Sequence, residues 1–489
     1  MKKRINNVFA FAEKIQMASK HYEIMMFPWL AFGHILPYFE LAKRLASKGI
    51  NISFISTPRN IQRLPPIPDN LMENIQLVQL PLTSVDGLPE NSEATIDLQL
   101  ECTEYLRKAC DRLREALEQL LCEISPDLIL FDFVQCWIPQ IAAKFRVPSG
   151  YFSAYAACTL AFLGPPAELE SFGRRKKPED FAVTPDWFPL TSLVSQGRHQ
   201  AQKMFRNLYF PDISSLSGSQ RWAATLHGCE FVAVRSCSEL EGEYLNLLRE
   251  LYQKPVLSVG LLPPMSKNKV SDQATGSNWS HISKWLDKQA RKSVVFVGFG
   301  TEYKMPLEEI HELAYGLELS KMPFFWILRT PGGLEFDISE LLPDGFLMRT
   351  SERSMVSIGW APQLAILGHP AIGGCLYHSG WSSIIESLGF GHPQILMPMV
   401  DDQGLNAKLL VEKGVGFEVP RNEDGSFHRD AVAKSIRLVM LEDQGEGLRV
   451  KAAHIQKIFA DQDLHDSYIN SFVEFLYSRR KGSSQTRDS

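Results

Sequence analysis

From Trp360 to Gln403 the chain reads WAPQLAILGHPAIGGCLYHSGWSSIIESLGFGHPQILMPMVDDQ. Residues 372–376 form a short, mostly apolar run that reads as a strand. The chain turns at His378–Gly380, a helix begins near Trp381, and residues 394–397 return as a strand. Strand, helix, strand in this order is the unit of a parallel sheet covered by helices. The same alternation extends towards the N-terminus, with strands at 293–299, 324–329 and 355–358 and a helix at 306–319. The first half repeats it. Strands are expected at 22–29, 51–56, 74–80, 127–131, 147–152, 231–234 and 255–259, with helices at 34–48, 101–123 and 136–145. Residues 163–220, rich in Pro, Arg and polar residues, read as insertions and loops. Residues 261–280, with Pro263-Pro264 and then mostly polar residues, read as a linker. Two successive doubly wound α/β domains with Rossmann-like parallel sheets follow, and ligands belong in the cleft at the carboxyl ends of their strands.

Composition agrees with a globular enzyme. The chain has 489 residues, 45% hydrophobic and 22% charged, with a formal net charge of −5. That length suits two cores rather than one. The mild acidity offers no electrostatic footprint for nucleic acid or an anionic membrane. No apolar run has the length of a membrane span. Met1-Lys2-Lys3-Arg4 is followed by a stretch too short and polar for a secretory core, and Met17 is a second candidate start. The eight cysteines form no CxxC pair, so reduced, packed thiols in a cytoplasmic protein are expected, and no metal site.

The 44 residues from 360 to 403 hold Trp360-Ala361-Pro362-Gln363, His369, His378-Ser379-Gly380-Trp381-Ser382-Ser383, Glu386, Gly391, Pro393, Pro398 and Asp402-Gln403 at fixed offsets. This resembles the signature of plant family-1 UDP-glycosyltransferases. The resemblance covers most of residues 20–480 and implies a GT-B-like fold. Its domains would be an extension (1–19), an acceptor-binding domain (20–260), a linker (261–281), a UDP-sugar-binding domain (282–455), a helix packing back on the first domain (456–479) and a disordered tail (480–489). Singly, each residue has a blander reading, such as a core tryptophan or a solvated glutamate. Their joint occurrence carries the resemblance.

It implies a UDP-sugar co-substrate, with no cofactor and no metal. Trp360 would stack on uracil, beside Ala361. Gln363 would offer donor and acceptor to base or ribose, and Glu386 would accept from the ribose diol. His378, Ser382 and Ser383, with Thr301 after the strand at 293–299, would hold the diphosphate at a helix N-terminus. Trp381, Asp402 and Gln403 would touch the sugar. Members commonly have Cys at 379 and Asn at 382. Both are Ser here, and the shorter hydroxyl at 382 weakens the expected phosphate contact.

In the first half, Gly33-His34-x-x-Pro37 follows a strand. By the resemblance, His34 deprotonates the acceptor hydroxyl and Asp132 orients it. Asp127 is the competing carboxylate, at the wrong end of its strand. Trp29, Phe32, Phe133, Trp137, Tyr151 and Phe152 are candidates for an acceptor wall. The resemblance implies inverting transfer, with glucose as the leading sugar and rhamnose the alternative. The acceptor would be a small flavonoid or terpenoid, or its glycoside, and the protein a monomer. A non-catalytic UDP-sugar binder is a further alternative. A glycoside hydrolase would not need this nucleotide set, a nicotinamide enzyme would need a third glycine, and an α/β-hydrolase would need G-x-S-x-G.

Overall fold

The computed structural model describes residues 22–170, 173–263, 277–329, 337–359 and 361–485. The proposed extension and Trp360 lie outside them. One sheet comprises β1 (Glu23–Phe27), β2 (Asn51–Ser56), β3 (Ile75–Gln79), β4 (Leu128–Phe131), β5 (Ser149–Ser153), β6 (Phe231–Val234) and β7 (Val256–Ser258). Helix α1 (Phe32–Ala46) follows β1. The second sheet comprises β8 (Val294–Gly298), β9 (Phe324–Leu328), β10 (Ser354–Ile358), β11 (Ile372–Tyr377), β12 (Gln394–Leu396) and β13 (Gly416–Glu418). Helices α2 (Trp381–Gly389) and α3 (Gln403–Lys413) follow β11 and β12, and α4 (Gln462–Gln485) is the last described element.

The strand orders are β3-β2-β1-β4-β5-β6-β7 and β10-β9-β8-β11-β12-β13, parallel throughout. Helices cover both faces, so the strands are apolar on both. In β1, Ile24 and Met26 enter one core while Met25 and Phe27 enter the other, as a two-residue period requires. Each order reverses beside its first strand, between β1 and β4 and between β8 and β11. A crevice opens at such a switch point. Phe27 pairs with Phe131, so β1 and β4 end level. Gly298 pairs with Tyr377, so β8 and β11 also end level. The residues just after these four strands are therefore brought together by register.

The fold departs from the sequence expectations in several places. The helix expected at 101–123 is two, Thr103–Asp111 and Arg114–Ile124. At the break, Asp111 accepts hydrogen bonds from Trp137 Nε1 (3.0 Å) and Arg221 Nη2 (2.6 Å). The stretch read as loops contains the helix Arg198–Tyr209. β13 was not expected. A helix, Ser277–Leu286, already begins inside the stretch read as linker, and α4 runs to Gln485, into the tail expected to be disordered. α4 lies on the first sheet's side. Arg44 of α1 donates to Asp466 at 2.9 Å and Gln462 at 3.2 Å, and Phe231 meets Phe475 with ring centroids 5.2 Å apart.

One buried carboxylate ties the first domain together. Glu241 interrupts the helix Ser238–Tyr252 with φ −129° and ψ 29°. It accepts from Ala157 N–H (3.2 Å), Cys158 N–H (2.8 Å) and Ser236 Oγ (2.5 Å). It thus caps the helix Ala157–Leu163, which has no side-chain cap of its own. Glu241→Ala orphans these donors and is expected to destabilise the protein by about 3 kcal/mol. Glu241→Gln keeps one acceptor oxygen and is expected to cost about 1 kcal/mol. Urea midpoints of the two variants check the order, and equal midpoints would dismiss the capping role.

Candidate active site

His34 lies in the first turn of α1, directly after β1, and Asp132 directly after β4. The level strand ends set them side by side. His34 Nδ1 is 2.8 Å from Asp132 Oδ2. The carboxylate is fixed by two backbone donors, Trp29 N–H at 3.2 Å and Phe133 N–H at 2.8 Å. It is fully buried, and His34 is 8% exposed. A carboxylate on Nδ1 selects the tautomer with hydrogen there, leaving Nε2 as the basic nitrogen. Burial pulls the imidazole pKa down. The charge and hydrogen bond of Asp132, with Asp402 and Glu302 behind, more than reverse this, so it lies above the ordinary 6.5. Asp127 accepts from Glu23 N–H at 2.9 Å, at the opposite end of its strand.

Across the cleft, Gly300 follows β8 and His378 follows β11. Gly300 has φ +70°, and a Cβ there would sit 2.8 Å from the His378 ring. A Cβ on Gly380 would sit 2.6 Å from His378 Nε2. Glycine at both positions lets the imidazole lie between two backbone segments. Burial pushes the His378 pKa down to about 4, so the ring is neutral, and its buried Nδ1 has no hydrogen-bond partner among the described residues. Ser379 (φ +66°) and Asp401 (φ +53°) are also left-handed, a cluster of backbone strain of the kind found at functional sites.

Gly380 precedes α2 without a side-chain cap, so the first-turn N–H groups of Trp381, Ser382 and Ser383 carry an anion-attracting terminus. Gln363 Nε2 donates to Glu386 Oε2 at 2.7 Å. A pocket there is lined by Gly298, Gly300, Gln363 and Ser383 among others. Ala361 is buried, and Thr301 is half-buried beside Gly300. Trp381 is buried, and its Nε1 donates to the Arg235 carbonyl at 3.0 Å. Asp402 Oδ2 accepts from Asn406 Nδ2 at 2.7 Å. Burial pushes its carboxyl up to about 6. Gln403 Oε1 accepts from Met399 N–H (2.9 Å) and Val400 N–H (3.0 Å), which leaves Nε2 as its donor.

Residues 274–462 match the UDP-glucoronosyl and UDP-glucosyl transferase family. UDP-glycosyltransferase 91C1 of Arabidopsis thaliana is 44% identical over 475 residues, covering 96% of this chain and 100% of the relative. The chain is a plant UDP-glycosyltransferase. The soyasaponin III rhamnosyltransferase of Glycine max is 38% identical, covering 94% of this chain and 96% of that one. Among solved structures, that of Glycyrrhiza uralensis UGT73P12 superposes with a TM-score of 0.78 at 22% identity, over 96% of this chain and 98% of that one. The two-domain GT-B fold is thereby established.

The wall beside His34 in this glycosyltransferase is aromatic. Tyr155 meets the imidazole edge-on at 5.0 Å and Phe133 lies at 6.2 Å. Phe133 stacks on Trp222 with centroids 4.5 Å apart and planes 7° apart, and Tyr151 meets Trp222 at 5.6 Å. Phe133 was among the expected wall residues and Tyr155 was not, while Tyr151 and Trp222 are buried behind them. Phe152, the next residue on β5, points to the opposite face and packs on Tyr38 at 4.7 Å. Trp137 is buried against Asp111. Both are core rather than wall. Trp29 is buried, and Phe32 lies under Arg63. Glu302 was also missed. Its Oε1 is buried. Burial raises its pKa, the neighbouring Thr95 hydroxyl opposes this, Asp401 adds to the rise, and His34 and Lys304 pull it down.

Proposed function

We propose that this glycosyltransferase moves glucose from UDP-glucose to a hydroxyl of a small plant terpenoid or flavonoid, or of its glycoside, with inversion at the anomeric carbon. The observation that carries this reading is the His34–Asp132 pair on one sheet standing opposite an uncapped helix terminus on the other. His34 Nε2 takes the acceptor proton as the hydroxyl oxygen bonds to the anomeric carbon. The bond from that carbon to the diphosphate breaks, and its electron pair leaves with UDP. Asp132 stabilises the imidazolium. The α2 terminus, the neutral His378 and Thr301 meet the charge on the departing diphosphate. Gln363 and Glu386, already bonded to each other, suit the ribose, with Ala361 and Trp360 at the base. Asp402 and Gln403 meet the sugar, and Trp381, whose indole is buried and held by the Arg235 carbonyl, meets it only through its backbone. On this route no cofactor or metal takes part, and the enzyme works as a cytoplasmic monomer.

The aromatic wall suits a flat or polycyclic acceptor. Glu302, a buried carboxylate close enough to His34 and Asp401 to act on them electrostatically, suits a hydroxyl of an acceptor already bearing sugar. UDP-rhamnose is the second reading, favoured by the 38% identity to the soybean rhamnosyltransferase. The purified protein is offered UDP-glucose, UDP-rhamnose, UDP-galactose, UDP-xylose or UDP-glucuronate, with pooled flavonoids, terpenoids and their glycosides. Mass spectrometry is expected to show hexose addition with UDP-glucose, at least about tenfold faster than with the other donors. Deoxyhexose addition from UDP-rhamnose alone would replace the donor assignment. UDP binding without transfer to any pool would remove the catalytic reading.

A further inference from the structure

Four arginines are buried among the described residues: Arg44, Arg175, Arg221 and Arg235. Three of them have a carboxylate. Arg44 pairs with Asp466 at 2.9 Å, Arg175 with Glu168 at 3.5 Å and Arg221 with Asp111 at 2.6 Å. Arg235 is 4% exposed and forms no ion pair among the described residues. Its guanidinium donates from Nε to the Leu261 carbonyl (2.8 Å), from Nη2 to the Leu262 carbonyl (3.4 Å) and from Nη1 to Ser382 Oγ (2.7 Å). Two carbonyls and a hydroxyl engage three of its five N–H donors and do not neutralise it. A buried cation without a counter-ion is costly. Burial draws its pKa down to about 10, which leaves it charged at neutral pH. The more distant Glu386 and Glu40 favour that charge and Arg44 opposes it.

The position of this cation is informative. Arg235 directly follows β6, in the first sheet, yet reaches Ser382 in the first turn of α2, in the second. Its own carbonyl receives the indole N–H of Trp381, the first residue of α2. The side chain and the backbone of one residue thus both hold the helix terminus assigned above to the diphosphate. We propose that Arg235 is a donor-binding residue, whose counter-ion is the diphosphate of the UDP-sugar. Guanidinium and phosphate oxygens match in geometry and form charge-assisted hydrogen bonds. The short Ser382 hydroxyl is thereby backed by a full positive charge. Because the cation belongs to the opposite domain, the diphosphate joins the two sheets, and UDP departs against a charge that neither the helix terminus nor His378 supplies.

This inference rests on the donor-site reading. Calorimetric titration of wild type, Arg235→Met and Arg235→Lys with UDP and with uridine separates the two. Wild type is expected to bind UDP far more tightly than uridine. Arg235→Met is expected to weaken UDP binding by about 10- to 100-fold while uridine changes by less than about twofold. Arg235→Lys, which keeps the charge but loses the fork, is expected to fall between. Unchanged UDP affinity, or equal losses for UDP and uridine, would overturn the role of Arg235 alone. If circular dichroism shows Arg235→Met unfolded, Arg235→Lys decides, since its loss must be confined to UDP. A wild-type protein with no preference for UDP over uridine would overturn the donor site itself, and the inference with it.

Discussion

Replacing His34 with alanine is expected to reduce sugar transfer by about 10³- to 10⁴-fold and to leave the affinity for UDP within about twofold of wild type. The split follows from where the groups lie. His34 belongs to the first sheet, with Nδ1 on Asp132 and its ring edge against Tyr155. The groups assigned above to the nucleotide, Gln363, His378, Ser383 and Glu386, belong to the second domain. Removing the imidazole takes away the proton acceptor and none of the donor contacts proposed above. Alanine also leaves a void beside Tyr155, so His34→Gln, of similar size and unable to accept a proton at neutral pH, controls for packing. Both variants should lose transfer alike, with circular dichroism unchanged. Transfer above about a tenth of wild type in either would dismiss His34 as the base. Glu302 and Asp402 would then be the next carboxylates to test, because both act electrostatically on the same imidazole.

The two halves of the site were unequally legible in the sequence, for a physical reason. The donor half comes mainly from one strand, one turn and one helix in succession. Its glycines, serines and histidine therefore stand as neighbours in the chain as well as in space. The acceptor half is assembled by the sheet. Phe133 and Tyr155 reach His34 from two separate segments, and Trp222 packs behind Phe133 from a third. An aromatic in an apolar run looks the same whether it lines a cleft or fills a core. Only the pleat tells Tyr151 from Phe152, and it does so once the neighbours of β5 are known. Arg235 was invisible because its partner is 147 residues away. Glu302 adjoins Thr301 but reads as an ordinary turn carboxylate.

The fold shows the same division. Parallel strands are short apolar runs between turn signals, so their centres were readable and their ends drifted by a residue or two. The helix Arg198–Tyr209 was not readable, since most of its residues are polar. Phe205 and Tyr209 anchor it on Phe181 with centroids 6.0 Å away, a tertiary contact that no local pattern encodes.

Asp132→Asn is expected to lower kcat/KM by about 10²- to 10⁴-fold at neutral pH and to move the acid limb of its pH profile downward. His34 accepts a proton only when neutral, so activity falls as pH drops through its pKa. Burial lowers that pKa, and the charge and hydrogen bond of Asp132 raise it above 6.5. The wild-type limb should therefore lie above 6.5. Asparagine removes the charge and leaves the burial, so the imidazole pKa falls and the limb follows. The rate falls as well, because the imidazolium formed during transfer loses its counter-charge and an amide can hold the wrong tautomer. Asp402 makes the test discriminating. Burial holds its carboxyl at about 6, and a carboxylate needed for the sugar would also lose activity as pH drops, but through about 6. Profiles of kcat/KM from about pH 5 to 9 separate the two groups. A limb above 6.5 that moves in Asp132→Asn belongs to His34. A limb near 6 that stays in place belongs to Asp402, and would show that the pair on the first sheet does not set the pH dependence of transfer.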